Sequence, residues 1–203
     1  MIIGSVDSVT VGDAMIKPVT CVRNLVVWFD QHMTMRDRIG KICSKMFYSL
    51  YNLRQIRKWL TDEACKTLVH ALVTCHLDYC NTLLHDVSQY QQQRLQRVLN
   101  AAAQLICRLP KYCHITRVFK DVHWLPIKYR VIFKITLPVF KIVHGLAPSY
   151  LETLIRVKPE GHNLLRNKDH LLVPKDKCKT FGDRAFFKSG PYCGTVYLTI
   201  LDK

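Results

Sequence analysis

Arg36-Asp37-Arg38-Ile39-Gly40-Lys41-Ile42-Cys43-Ser44-Lys45-Met46-Phe47-Tyr48-Ser49-Leu50 is where the chain turns from a strand pattern to a helical one. Ile39, Ile42, Met46, Leu50, Leu53 and Leu60 recur at three- and four-residue spacing, and Cys43 and Phe47 widen the stripe. Such spacing is one apolar face of a long helix. Thr61 is placed to cap the next helix, with Asp62 and Glu63 in a first turn whose macrodipole favours acids. That second helix is predicted to carry Leu68, Val69, Leu72 and Cys75 towards the core. Ser88 caps a third, with Leu95, Val98, Leu99, Ala102, Leu105 and Ile106 on its apolar face, closing before Pro110.

Further on, Thr116 is read as the cap of a short helix. Trp124-Leu125-Pro126 starts a longer one that ends at Gly145, a residue suited to a left-handed C-terminal cap. Pro138 interrupts that pattern and is predicted to kink the helix or end it early, since forcing it straight costs about 3 kcal/mol. Pro148 suits the first turn of a short helix through Leu154.

Upstream of Arg36 the chain reads as strand. Val9-Thr10-Val11 and Met15-Ile16-Lys17 flank the turn pair Gly12-Asp13, and Cys21 to Phe29 is a further β-prone run. A small antiparallel sheet of two or three strands follows, too small to stand alone. Beyond Lys158 the pattern weakens: Gly161 to Lys188 is charged and interrupted, and Cys193 to Lys203 is β-prone without an anchor. The predicted fold is mainly α: a short N-terminal antiparallel β-hairpin or sheet, then a helical bundle, then a poorly ordered basic tail. The divisions fall at residues 1–30, 31–110, 111–158 and 159–203.

At 203 residues and 49% hydrophobic content, the chain can bury a sizeable core. Thirty Lys and Arg against fifteen Asp and Glu give a formal charge of +15. That surplus favours polyanionic partners, nucleic acid before an acidic membrane surface. Nine cysteines are scattered through apolar helical patterns, so they read as reduced thiols without disulfide partners. The N-terminal residues have no signal-peptide pattern, and no apolar run is long enough to span a membrane. The expectation is an intracellular protein, nucleus or cytoplasm left open.

The basic residues cluster. Arg36, Arg38, Lys41, Lys45, Arg54, Arg57 and Lys58 face a single acid, Asp37, and Lys41 and Lys45 lie four apart on one side of the helix. From Val87 to Lys120 there is no acid at all, with Arg94, Arg97, Arg108 and Lys111 among the available cations. Such rows can follow a phosphate backbone without reading bases. The plainer reading is a solvated face, but that would mix the signs more evenly. These eleven residues form the predicted nucleic-acid surface. Lys175, Lys177, Lys179, Arg184 and Lys188 form a further basic cluster, read as an arm or a soluble tail.

Other chemistry is weakly signalled. Cys75, His76 and Cys80, or Cys107, Cys113 and His114, lack the usual spacing of zinc ligands, so no resident metal or other cofactor is expected. A Cys–His nucleophilic pair is a coincidence that nine of each residue would produce. Trp124 and His70 are read as core residues before they are read as a stacking platform or a ligand. Asp78, among apolar neighbours, is read as a local hydrogen-bonding or turn residue.

Several stretches carry a resemblance: Leu77-Asp78-Tyr79-Cys80-Asn81, Arg94 to Ala103, His123-Trp124-Leu125-Pro126, His144 to Leu151, Leu172-Val173-Pro174 and Phe181 to Phe186. In this order they resemble the region downstream of the polymerase core in reverse transcriptases of non-LTR (LINE-type, jockey- or CR1-like) retrotransposons. The resemblance spans residues 9 to about 191. It implies that residues 1–30 are the edge of the palm, that 31–110 form a thumb-like helical domain, and that the parent is an RNA-directed DNA polymerase using Mg²⁺. Polymerase chemistry needs paired carboxylates holding two metal ions about 4 Å apart. No Asp-Asp pair occurs in this sequence, so the chain is not expected to be an enzyme by itself. Two departures stand out: Val26 occupies the position of a family glycine, and Tyr192 to Tyr197 replaces a tryptophan-containing stretch. The implied role is sequence-independent binding of RNA, DNA or their hybrid, with the missing palm as a second partner. The alternatives are an inactive structural remnant or a protein-interaction module.

Overall fold

A computed structural model describes residues 8–110, 112–156, 171–174 and 185–201. At its N-terminus the two β-prone runs form separate hairpins instead of one sheet. Strands β1 (Val9–Val11) and β2 (Ala14–Ile16) pair antiparallel around Gly12-Asp13, with Gly12 at φ +60° supplying the left-handed turn residue. Every residue of this hairpin is exposed, so nothing buried fixes it to a neighbouring sheet.

Strands β3 (Cys21–Asn24) and β4 (Val27–Asp30) pair with Asn24 opposite Val27, leaving a two-residue loop of Leu25 and Val26. Both loop residues have positive φ, 44° and 69°, as a primed hairpin turn demands. A β-branched residue is a poor occupant of that region. Tyr79 holds the turn in place by donating its hydroxyl to the Leu25 carbonyl at 2.8 Å. Val26 is 65% exposed, so its side chain contributes little packing in return for the strain. Val26→Gly is therefore expected to stabilise the protein by about 1 kcal/mol, the cost of a left-handed L-residue less the entropy of glycine. Urea denaturation checks this; a destabilised variant would show that Val26 makes contacts worth more than its strain.

Helix α1 (Arg36–Ile56) follows, as the spacing predicts, with Ile39, Cys43, Met46, Leu50 and Leu53 buried. Phe47 lies outside this stripe, with 46% of its surface exposed. A 3₁₀ turn (Arg57–Trp59) leads to α2 (Asp62–Val69), where Thr61 accepts the Ala64 N–H at 3.2 Å as the predicted cap. The backbone then widens into a π-helical turn (His70–Thr74) before α3 (Cys75–Asp78). This turn rotates the buried face. Cys65, Val69, Val73 and Leu77 point inward, whereas Leu72 and Cys75, expected in the core, are exposed. His70 is exposed as well, lying edge-on to the Trp124 ring instead of inside the core.

A second 3₁₀ turn (Asn81–Leu84) precedes α4 (Gln89–Ile106), which occupies the middle of the bundle. All six apolar-face residues predicted for α4 are buried, and α1, α2, α5 (Ile115–Asp121) and α6 (Ile127–Val143) pack on it. His114, not Thr116, is the residue before α5. Helix α6 continues through Pro138 to Val143, so that proline does not end it. Its lost hydrogen bond is offset by packing: Ile135 and Val139, on either side, are almost fully buried. A short α7 (Ser149–Glu152) follows Pro148.

One core continues from Met35 to Ile135 and takes in Cys193, crossing the division expected near residue 110. A smaller cluster of Val139, Ile155 and Leu171 lies beyond it. Cys193 is part of α8 (Phe186–Leu201), a helix where a β-prone, unanchored segment was expected. Helix α8 packs on α6, and Gly194 makes this possible: a Cβ there would stand 2.8 Å from Val139 Cγ1 and 2.9 Å from Leu171 Cδ1. Of the predicted basic tail, Lys175, Lys177, Lys179 and Arg184 lie outside the described residues.

Candidate nucleic-acid interface

The eleven basic residues of the predicted surface do not act together. Two of them are corrections. Arg38 is 2% exposed and donates through Nη2 to the Tyr79 carbonyl at the end of α3. Its Nε and Nη1 are buried without acceptors among the described residues, and burial pushes its pKa down. Arg57 is 8% exposed and fully engaged. Its Nε donates to the Leu105 carbonyl at 2.9 Å, Nη1 to Leu60, and Nη2 to Ile106 and to the Asp62 carboxylate at 2.6 Å. Arg57 thus caps the C-terminal carbonyls of α4, where the helix dipole favours a cation. Neither side chain is free to meet a phosphate.

Three more are tied at the surface. Arg94 donates to Gln91 and lies over Tyr90. Arg108 donates to the Leu60 carbonyl and sits 3.4 Å from Asp62. The Arg57 hydrogen bond, reinforced by the Arg108 charge, holds the Asp62 carboxyl below the usual carboxylate range. Lys58 sits over the Trp59 ring at 4.1 Å. Lys111 lies outside the described residues.

The remaining five are exposed: Arg97 on α4, and Arg36, Lys41, Lys45 and Arg54 on two sides of α1. Lys41 sits against the Trp28 ring of β4, and Lys45 stands near His76, lowering its pKa after burial has done so. Arg36 and Arg54 lie on a different side, with Phe47, because their separations approach whole turns at about 3.6 residues each. The single row read from the sequence is therefore split.

The second side opens onto α4. Phe47 and Arg54 face Arg97, Asn100 and Gln104 across an open cleft of about 660 Å³, with Ala101 and Leu109 also on its lining. Arg54 and Arg97 are exposed, and neither makes a hydrogen bond or ion pair among the described residues. Among the described residues no acid lines the cleft. Asn100 is oriented from behind. The Ile127 N–H, at the start of α6, can only donate, so Gln96 presents its Oε1 there at 2.9 Å. Gln96 must then turn Nε2 to Asn100 Oδ1, at 2.7 Å, which leaves the Asn100 Nδ2 donors for the cleft. Sequence spacing located Arg54 and Arg97 but not this relay, because Gln96 and Asn100 are joined to Ile127 only by the fold.

The motif residues are mainly structural. Trp124 is buried, as expected, against His70, Phe119 and the Arg130 guanidinium. His123, at φ +55°, turns the chain so that Trp124 N–H reaches the Phe119 carbonyl at 2.8 Å. Asp78 is more than a local residue. Both its oxygens accept from Arg130 Nη1, at 2.9 and 2.8 Å, which ties α3 to α6.

Other candidate chemistry has little support in the geometry. Cys193 Sγ lies 3.5 Å from His85 Nε2, but burial pushes the thiol up, opposite to what a nucleophile needs. The described cysteines are free thiols. Among the described residues no three His, Cys, Asp or Glu side chains group as metal ligands, and no helix is long and apolar enough to cross a membrane. No protein-family model, curated protein or solved structure matches the chain.

Proposed function

We propose that this chain is a thumb-like, non-catalytic portion of a non-LTR retrotransposon reverse transcriptase that binds RNA, DNA or their hybrid without reading sequence. The observation that carries the reading is the pair of unengaged guanidiniums, Arg54 and Arg97, facing each other across an acid-free cleft between α1 and α4. Unpaired arginines held on two rigid helices make a fixed phosphate-binding pair, and the surplus of fifteen positive charges draws a polyanion towards them. Mg²⁺ and deoxynucleotide chemistry belong to the parent polymerase, whose paired aspartates this sequence does not carry. Arg54→Ala with Arg97→Ala is expected to weaken binding of a labelled hybrid and to flatten the dependence of log affinity on log salt by about 1.8, or 0.9 per phosphate contact. Lys41→Ala with Lys45→Ala, on the other side of α1, should change the slope less. An unchanged slope in the arginine pair, from a folded protein, would remove the cleft from the interface.

A second reading has its own observation. Tyr129, Phe133, Leu137 and Phe140 run along the outer side of α6 and are all exposed. So are the apolar residues of the β1–β2 hairpin. Apolar rows of this kind fit a chain that packs on a further protein surface, such as the palm of the parent enzyme.

A further inference from the structure

We infer that the cleft between α1 and α4 takes one unpaired nucleotide. Its base would lie against Phe47, its phosphate between Arg54 and Arg97, and an acceptor on its edge would receive the Asn100 Nδ2–H. The inference rests on the nucleic-acid reading and narrows it. A purely electrostatic phosphate track needs only cations, yet this cleft also holds an aromatic ring and an oriented amide. Phe47 breaks the apolar stripe of α1 and leaves 46% of its surface uncovered, at the mouth of the cleft. A base inside a duplex has both faces covered by its neighbours, so such a ring can stack only on an unpaired or terminal base.

The Asn100 amide has a defined polarity, because the relay from Ile127 N–H through Gln96 turns its oxygen to Gln96 Nε2 and its Nδ2 away from it. What remains is a donor, and every nucleobase offers an acceptor on its edge. The site thus tolerates any sequence while still recognising a base. Its volume of about 660 Å³ falls in the range of small-ligand sites, and no acid on its lining would repel the phosphate. Two arginines that hydrogen-bond to nothing in the described protein complete the set.

Two probes separate this inference from the broader reading: a blunt RNA–DNA hybrid, and the same hybrid with a short single-stranded extension. In anisotropy titrations at one salt concentration, the extension is expected to tighten binding about ten-fold, the scale of one stacked base. Phe47→Ala should erase that gain and leave the blunt-hybrid affinity within about two-fold of the wild type, whereas Phe47→Tyr should keep the gain. Asn100→Asp, which presents a carboxylate in place of the donor, should erase it too. Circular dichroism establishes that each variant is folded. No gain from the extension, or equal weakening of both probes by Phe47→Ala, overturns the inference while leaving duplex binding intact. Phe47-dependent binding of a free single strand with no binding of either hybrid would keep the cleft assignment and sink the duplex reading. Binding of none of these would sink both.

Discussion

Arg57→Met is expected to lower the stability of the protein by about 3 kcal/mol, and its melting temperature by roughly 6–12 °C. The cause lies at the end of α4. Leu105 and Ile106 offer carbonyls that the helix itself leaves without partners, and Arg57 reaches both from the turn after α1. The same guanidinium bonds Leu60 and Asp62, so one side chain joins the end of α1, the start of α2 and the end of α4. Methionine keeps most of the volume and none of the donors, which strands buried carbonyls at a cost of about 1–3 kcal/mol each. The pH dependence has a defined sign. Because the folded Asp62 carboxyl titrates lower than in the unfolded chain, its contribution is present above the ordinary carboxylate range. It is lost as pH falls through the depressed value. Arg57→Met should remove that acid-labile part. Urea melts at neutral and acidic pH measure both effects, and a variant as stable as the wild type would return Arg57 to the solvent.

Asp78→Ala is expected to cost about 2 kcal/mol, less than a fully buried pair because the carboxylate side chain is 35% exposed against 14% for Arg130. Arg130 does more than pair. It donates through Nε to the Leu125 carbonyl and lies over the Trp124 ring, so its position depends on the anchor that Asp78 provides. Removing the carboxylate leaves a mostly buried guanidinium without its counter-charge. A double-mutant cycle with Arg130→Met should show strong coupling, the double variant being little worse than Asp78→Ala alone. Additive losses would mean that the two residues stabilise the protein independently.

These two ties explain which parts of the fold were legible. The long amphipathic helices were, because Ile39, Met46, Leu50 and Leu53 in α1 and Leu95 to Ile106 in α4 repeat the helical period and are buried, although Ile42 is only partly covered and Phe47 is exposed. The Gly145 cap was too: Leu146 N–H bonds the Lys141 carbonyl at 2.7 Å across a left-handed glycine. The same closing motif ends α4 at Arg108 and α5 at His123, both at positive φ without glycine, so nothing in the sequence marked them. The π-helical turn after Val69 was equally silent, and it moved Leu72 out of the core and Val73 in. Helix α8 was read as a β-prone segment, because nothing local shows that Gly190 and Gly194 let it approach α6.

The candidate site was half legible for a similar reason. Charge spacing finds arginines, but it does not distinguish Arg57, whose acceptors are 48 and 49 residues away, from Arg54, which has none among the described residues. The Gln96–Asn100 relay depends on a backbone N–H 31 residues further on. Contacts of that range have no local pattern.

We propose that the chain binds nucleic acid through a fixed phosphate-binding surface. Fluorescence anisotropy of the folded protein with a labelled RNA–DNA hybrid, titrated from low to physiological salt, tests it most directly. Saturable binding whose log affinity falls linearly with log salt, with a slope reduced in Arg54→Ala with Arg97→Ala, is the predicted result. A folded protein that does not saturate at low salt would contradict the claim and leave a helical remnant or a protein-binding module in its place.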